Sequence, residues 1–462
     1  MISDRFPNAP YEPPPMPPRA VVMTCDRWHL DFVGCYGNDW IETPNLQKLA
    51  AQGVVFDRHF AANVDPEFAS LAWWTGRTQL PRPVDSVPSE WDVGRLSAAG
   101  VRTVLFVEAS EENASQATPP FDEIIVITGR DDLEAQETET PFPRLVMRVE
   151  EWLVENASDE RPTLLWLRSR GVPIPWLPPL GFADLYLDDF GLAVSSEPVA
   201  GDPNEPEMTF PEGPEYDDAE LVEFAEEQDL SPEQNRVPED TRYALAMYAA
   251  YASLLDRWIG RLLTKLDANV GWKDALLVFA AATGQPFFLA KEDGASDLSD
   301  LEQALPLRGE MIQTPLIVRL PANVAADSQH AGTRRPALVQ TVDLLPSVLE
   351  WFGVTGSLTL EGASVLPLVR QQVETIHDSV LIGDGAATLA LCTEDYLYVR
   401  SGAKEPGAEP AVRLFEKPYD RWDVSDVANQ AHGLVDDLER ELQERLVQQN
   451  LTTSIPSAAI SQ

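Results

Sequence analysis

Cysteine and histidine are scarce in this chain, basic residues are outnumbered, and no apolar run is long. Its three cysteines, Cys25, Cys35 and Cys392, build no disulfide framework, and Cys25 sits in an apolar run that reads as buried. The five histidines, His29, His59, His330, His377 and His432, are scattered without metal-ligand spacing and read as structural or surface residues. His29, in DRWHLD, is the one placed to serve as a base. Only 34 basic residues face 75 acidic ones, a net charge of −41. Nucleic acid and anionic membrane surfaces would be repelled, so neither is expected as a partner. No stretch approaches the roughly 20 apolar residues that span a bilayer. Met1 to Arg19 lacks the basic and apolar regions of a secretory signal, so a soluble cytoplasmic protein is the expectation.

What is present points to a layered fold. At 462 residues, 44% of them apolar, the chain can build a sizeable core in two domains, or in one large domain with an appendage. Near-continuous apolar runs of strand length recur at Ala20–Cys25, Thr103–Val107, Thr163–Leu167, Ala275–Ala280, Leu316–Leu320 and Val380–Gly383. Such runs are expected of strands covered on both faces. Helical periodicity lies between them, at Pro44–Gln52 with Thr43 as its cap, at Thr241–Leu266 and at Leu338–Trp351. The alternation predicts an α/β fold with a mainly parallel central sheet flanked by helices. Short strands from about Leu389 and a helix at Val435–Gln448 predict a small C-terminal α+β subdomain. The expected divisions are a Pro-rich arm over 1–19, the α/β domain over 20–385 with an acidic insertion at 202–240, and the subdomain and tail over 386–462.

A set of motifs then appears in order. Ala20–Gly37 reads AVVMTCDRWHLDFVGCYG, a strand closed by Asp26 and followed by a loop. Thr43–Phe56 reads TPNLQKLAAQGVVF, Thr75–Arg77 reads TGR, and Thr314–Pro321 reads TPLIVRLP. Gln340–Val354, Leu360–Leu368 and Leu397–Asn429 complete the series. Together these resemble the sulfatases of the alkaline phosphatase superfamily across roughly residues 20 to 430, and the resemblance implies that family's fold.

The resemblance also implies a chemistry, and the matching positions depart from it. The family hydrolyses sulfate esters with a formylglycine made from Cys or Ser in a C-x-P-S-R motif, beside a calcium ion that needs about six or more oxygen ligands. Asp26 matches the first metal-binding Asp, but the next carboxylate is Arg27, and the downstream metal pair falls on Ala282 and Thr283. The nucleophile falls on Val64, Asp65 or Pro66 according to the anchor chosen, and the motif's Arg on Phe68 or Ser70. The sulfate-binding Lys and the His beside it align near Glu108 and Ser110. The histidines of a later segment become Arg168 and Pro173, and a last Lys is missing near Ala304 or Leu305. Calcium and formylglycine are therefore both expected to be lost, leaving no cofactor. Arg27, Arg168 and Arg170 form a candidate cluster in the former pocket, with Arg27 either pairing with Asp26 in place of the metal charge or exposed to solvent.

The expected function is that of a non-catalytic pseudosulfatase with a binding or scaffold role, its ligand unknown and its partner a protein or a paralogous sulfatase. The alternative is a divergent sulfuric or phosphoric ester hydrolase whose site is rebuilt from Asp26, Asp65, Ser70 and His29.

Overall fold

The structure, a computed structural model, describes residues 17–78, 91–109, 119–130, 132–173, 176–187, 189, 239–285, 307–321, 330–354, 360–384, 387–402 and 410–448. The Pro-rich arm up to residue 16 and nearly all of the expected acidic insertion at 202–240 lie outside these residues, as do Ser110, Ala304 and Leu305.

Nine strands form the main sheet: β1 (Arg19–Arg27), β2 (Val54–Phe60), β3 (Arg102–Glu108), β4 (Glu123–Ile127), β5 (Thr163–Gly171), β6 (Leu276–Thr283), β7 (Gln313–Thr314), β8 (Leu316–Arg319) and β9 (Thr333–Gln340). Their order is β4-β3-β5-β1-β6-β8-β2-β7, with β9 also pairing β2. The block from β4 to β6 is parallel, whereas β8 runs antiparallel to both β6 and β2, so the sheet is mixed. β1 lies in the middle, parallel to β5 on one side and β6 on the other, which explains why its run AVVMTC is apolar on both faces.

Helices cover both faces. On one side the long helix Glu239–Ala268 and the helix Pro141–Glu155 pack on Val21, Met23, Leu165, Leu167, Leu277 and Phe279. On the other, the helices Pro66–Thr75 and Leu344–Trp351 pack on Val22, Leu164, Trp166 and Val278. Each large apolar side chain buried this way contributes roughly 1.5–3 kcal/mol relative to exposure.

A second, antiparallel sheet follows: β10 (Ser379–Gly383), β11 (Leu389–Thr393), β12 (Tyr396–Ser401) and β13 (Ala411–Glu416), backed by the helix His432–Gln448. Leu442 and Leu446 of that helix are buried against Leu391, Tyr398 and Leu414.

Three local expectations are corrected. Val380–Gly383 belongs to this second sheet rather than the main one, because it pairs antiparallel with Leu389–Cys392. The segment Leu338–Trp351 is not one helix: Leu338–Gln340 closes β9, paired in parallel with Arg58–Phe60, and the helix starts at Leu344. Its first residues find ladder partners on β2, which satisfies their backbone groups without a helix. Thr43 does not cap the helix Pro44–Gln52 with its side chain. Its hydroxyl accepts the Gly34 N–H at 2.8 Å, and the cap comes from Asp256 on the long helix, whose carboxylate accepts the Asn45 and Leu46 N–H groups at 3.0 and 2.8 Å. Burial raises the pKa of Asp256, and these hydrogen bonds work against that rise.

Candidate functional site

Parallel strands place their carboxyl ends along one edge of a sheet, where such folds hold ligands. Here that edge gathers Asp26 and Arg27 from β1, Glu108 from β3, Arg168 and Arg170 from β5, and Ala282 and Thr283 from β6. Side chains alternate along a strand, so Asp26 shares a face with Val22 and Thr24, and Arg27 faces the other way. Thr24 pairs with Arg168 in the ladder, which sets Arg168 diagonally across from Asp26 on that same face.

The result is a fork-to-fork ion pair. Arg168 donates from Nε to Asp26 Oδ1 at 2.9 Å and from Nη2 to Oδ2 at 3.1 Å. The guanidinium that answers Asp26 is therefore Arg168, and of the two readings of Arg27 the pairing with Asp26 is not the one found. Adjacent residues of one strand cannot share a face, and the strand-like run that ends in Asp26 and Arg27 already carries that constraint. Arg27 instead reaches Gln285, its Nη1 lying 3.5 Å from Oε1.

The β6 end offers little to a cation. Ala282 is fully buried and its side chain carries no donor or acceptor, and the buried Thr283 hydroxyl donates to the Asp26 carbonyl oxygen at 3.0 Å. Glu108 is nearly buried, and one of its oxygens accepts the Arg170 N–H at 3.1 Å, tying β3 to β5.

The segment expected to carry a nucleophile is the head of the helix Pro66–Thr75. Asp65 precedes it and accepts the Phe68 N–H at 3.3 Å, while its own N–H donates to Asn63 Oδ1 at 2.8 Å. This is helix-start geometry, in which a carboxylate also opposes the positive end of the helix dipole. Pro66 is the first helical residue, where a missing N–H costs nothing. Ser70 lies one turn in and is buried, so its hydroxyl does not face open solvent. His29 is buried as well. Its Nδ1 accepts the Asp31 N–H at 3.1 Å, and burial, helped by the Arg421 charge, lowers its pKa to about 3. That ring stays neutral at neutral pH and binds a proton poorly.

Two residues outside the expected set complete the edge. Trp74 underlies Arg168, with the guanidinium carbon 5.6 Å from the ring centroid, and Gln285 receives Arg27. Neither carries a motif; only the register brings them in.

A calcium ion, which the resemblance implies, needs several free oxygens. Asp26, the carboxylate that closes the central strand, already commits both oxygens to Arg168, and the β6 positions add one hydroxyl that is itself a donor. Among the described residues no group of three or more His, Cys, Asp or Glu side chains is placed to hold a metal. This donor set does not fit the ion. Among the same residues no helix is long and apolar enough to cross a membrane.

Comparison with known proteins gives consistent matches. A family model described as Sulfatase matches residues 18–354. The N-acetylglucosamine-6-O-sulfatase of Bacteroides thetaiotaomicron is 21% identical over 426 residues, covering 78% of this chain and 72% of that protein. The multifunctional alkaline phosphatase superfamily protein PehA of Trinickia caryophylli is 25% identical over 134 residues; the match covers 29% of this chain and only 23% of that relative's length. Among solved structures, the phosphonate monoester hydrolase of Agrobacterium radiobacter superposes with a TM-score of 0.66 at 17% identity, over 94% of this chain and 96% of that one. At that identity the superposition shows the fold alone.

Proposed function

The chain belongs to the sulfatase family, and from that premise we propose that it keeps the family's architecture without its ester-cleaving chemistry, as a non-catalytic binding or scaffold protein. The observation that carries this reading is the head of the helix Pro66–Thr75. Val64, Asp65 and Pro66 stand there, none of them convertible to a formylglycine, and Asp65 is occupied as the start of its own helix. A carboxylate can attack an ester in other enzymes, but this one needs a cation at hand to activate its target. Support also comes from Glu108, an acid where a sulfate would need a cation, because like charges at short range oppose binding. The strongly acidic surface adds a general repulsion of anionic esters.

The expected partner is a protein, including a catalytically competent paralogue of the same fold, and the reading requires no cofactor. Purified protein assayed with an aryl sulfate and an aryl phosphate, with and without calcium or manganese, should turn over neither substrate above the level of the Asp26→Asn variant. Turnover that Asp26→Asn or Asp65→Asn abolishes would reject the reading and favour a divergent sulfuric or phosphoric ester hydrolase.

A further inference from the structure

We infer that the Arg168 guanidinium is the built-in cation of this sheet edge, replacing a bound divalent ion as the group that holds the ends of the central strands to the neighbouring helix. Three elements meet on it. Asp26 closes β1, Arg168 projects from β5, and Trp74 belongs to the helix Pro66–Thr75 on the face that both side chains share.

Both members of the pair are largely withdrawn from water, with side-chain exposures of 12% for Arg168 and 16% for Asp26. In that setting a planar guanidinium meets a carboxylate with two parallel hydrogen bonds, the geometry that best compensates its lost hydration. Its flat side is covered by Trp74, a buried ring whose negative π face suits a cation. Trp74 is itself fixed, edge-on to Phe121 and Trp166 with centroids 6.2 and 6.4 Å away. Trp166 in turn donates Nε1–H to Thr24 Oγ1 at 3.0 Å, one step along β1 from the ion pair. The cation is thus seated in a ring of contacts supplied by the chain itself.

A tethered guanidinium has an advantage over any soluble ion at this carboxylate. It is always at hand, cannot be chelated, and does not lose its proton in proteins. A divalent ion approaching Asp26 would have to displace both Arg168 bonds and leave the guanidinium buried beside it. The strand-end frame should therefore be stable without metal, and this goes beyond the question of whether the protein turns over an ester.

Thermal unfolding of the full chain tests the inference. Wild type is expected to melt at the same temperature in calcium, manganese or EDTA. Arg168→Met should lower Tm by roughly 5 °C or more, because it strands a partly buried carboxylate. Asp26→Asn should also lower it, and the double variant should lose clearly less than the sum of the two single losses. Should Arg168→Met fail to fold, Arg168→Lys serves in its place; it keeps the charge but not the fork, and should fall between wild type and Asp26→Asn. Additive losses would overturn the inference. So would a calcium-dependent rise in the wild-type Tm that Asp26→Asn removes. Ester turnover is not read in these measurements, so a failure here is distinct from a failure of the pseudosulfatase reading.

Discussion

Asp26 and Asp343 are both carboxylates held away from solvent, yet their charges are balanced in different ways. Asp26 lies at the open edge of the sheet and is answered by a permanent cation, Arg168. Asp343 is fully buried before the helix Leu344–Trp351, where it accepts the Gln340 N–H at 2.7 Å, the Ala363 N–H at 2.8 Å and the His377 Nε2 at 2.9 and 3.0 Å. One site is answered by a guanidinium, whereas the other depends on an imidazole that can titrate. In one molecule, then, one buried carboxylate is paired with a permanent cation and the other with a titratable one.

The sharpest way to break this comparison is Asp343→Ala. It removes the fully buried acceptor of two backbone N–H groups and of His377, so unfolding free energy should fall by about 3–5 kcal/mol in urea melts. A loss below about 1 kcal/mol would show that the corner tolerates unpaired donors and carries no special weight.

Stability against pH gives the next largest effect. Burial lowers the pKa of His59 to about 4 and that of His29 to about 3, so both are neutral when folded. Their contribution is fully present above the ordinary value of 6.5 and is lost as pH falls below it, by on the order of a few kcal/mol each near pH 4. His377 runs the other way. Burial disfavours its charged form, but the Asp343 carboxylate outweighs burial and raises its pKa. Its contribution is full below pH 6.5 and is lost as pH rises through that raised value. The stability gap between wild type and His377→Gln should accordingly be widest in mild acid and narrow in base, while the gap for Arg168→Met stays level from pH 6 to 9. A sloping Arg168 gap, or a flat His377 one, would erase the distinction between the two sites.

Much of this molecule could be read from its residues, and the exceptions have physical causes. β1, β3, β5 and β6 were legible because strands buried on both faces tolerate few polar positions, and their runs AVVM, VLFV, LLWL and LLVFA have none. β9 was hidden because its last residues, Leu338–Gln340, lead without a break into the helix of TVDLLPSVLEW. Nothing local says that β2 will claim them. The same holds at the cleft. Asp26, Ala282 and Thr283 lie at the ends of the neighbouring strands β1 and β6. The partner of Asp26 sits 142 residues away, and only the pairing of Thr24 with Arg168 sets the two side chains on one face. Asp256, which caps a helix 211 residues distant, was invisible for the same reason.

Arg27 gives the smallest effect and the finest test of that alternation. The sequence left two readings of it, a counterion of Asp26 or a solvent-exposed Arg, and only under the first would its replacement be costly. The register turns it to the opposite face, where its contact with Gln285 spans 3.5 Å, the outer limit of a hydrogen bond. Gly171, at φ +69°, brings its backbone so close to the Arg27 carbonyl that a Cβ there would lie 2.1 Å from the oxygen. The main chain of residue 27 is thus held by close packing that does not involve its side chain. Arg27→Ala should cost less in urea melts than Arg168→Met, because Arg168 and not Arg27 carries the two-bond fork to Asp26. If the two losses are equal, the charge on Asp26 is shared between the arginines, and the single fork-to-fork pair is not what holds this edge.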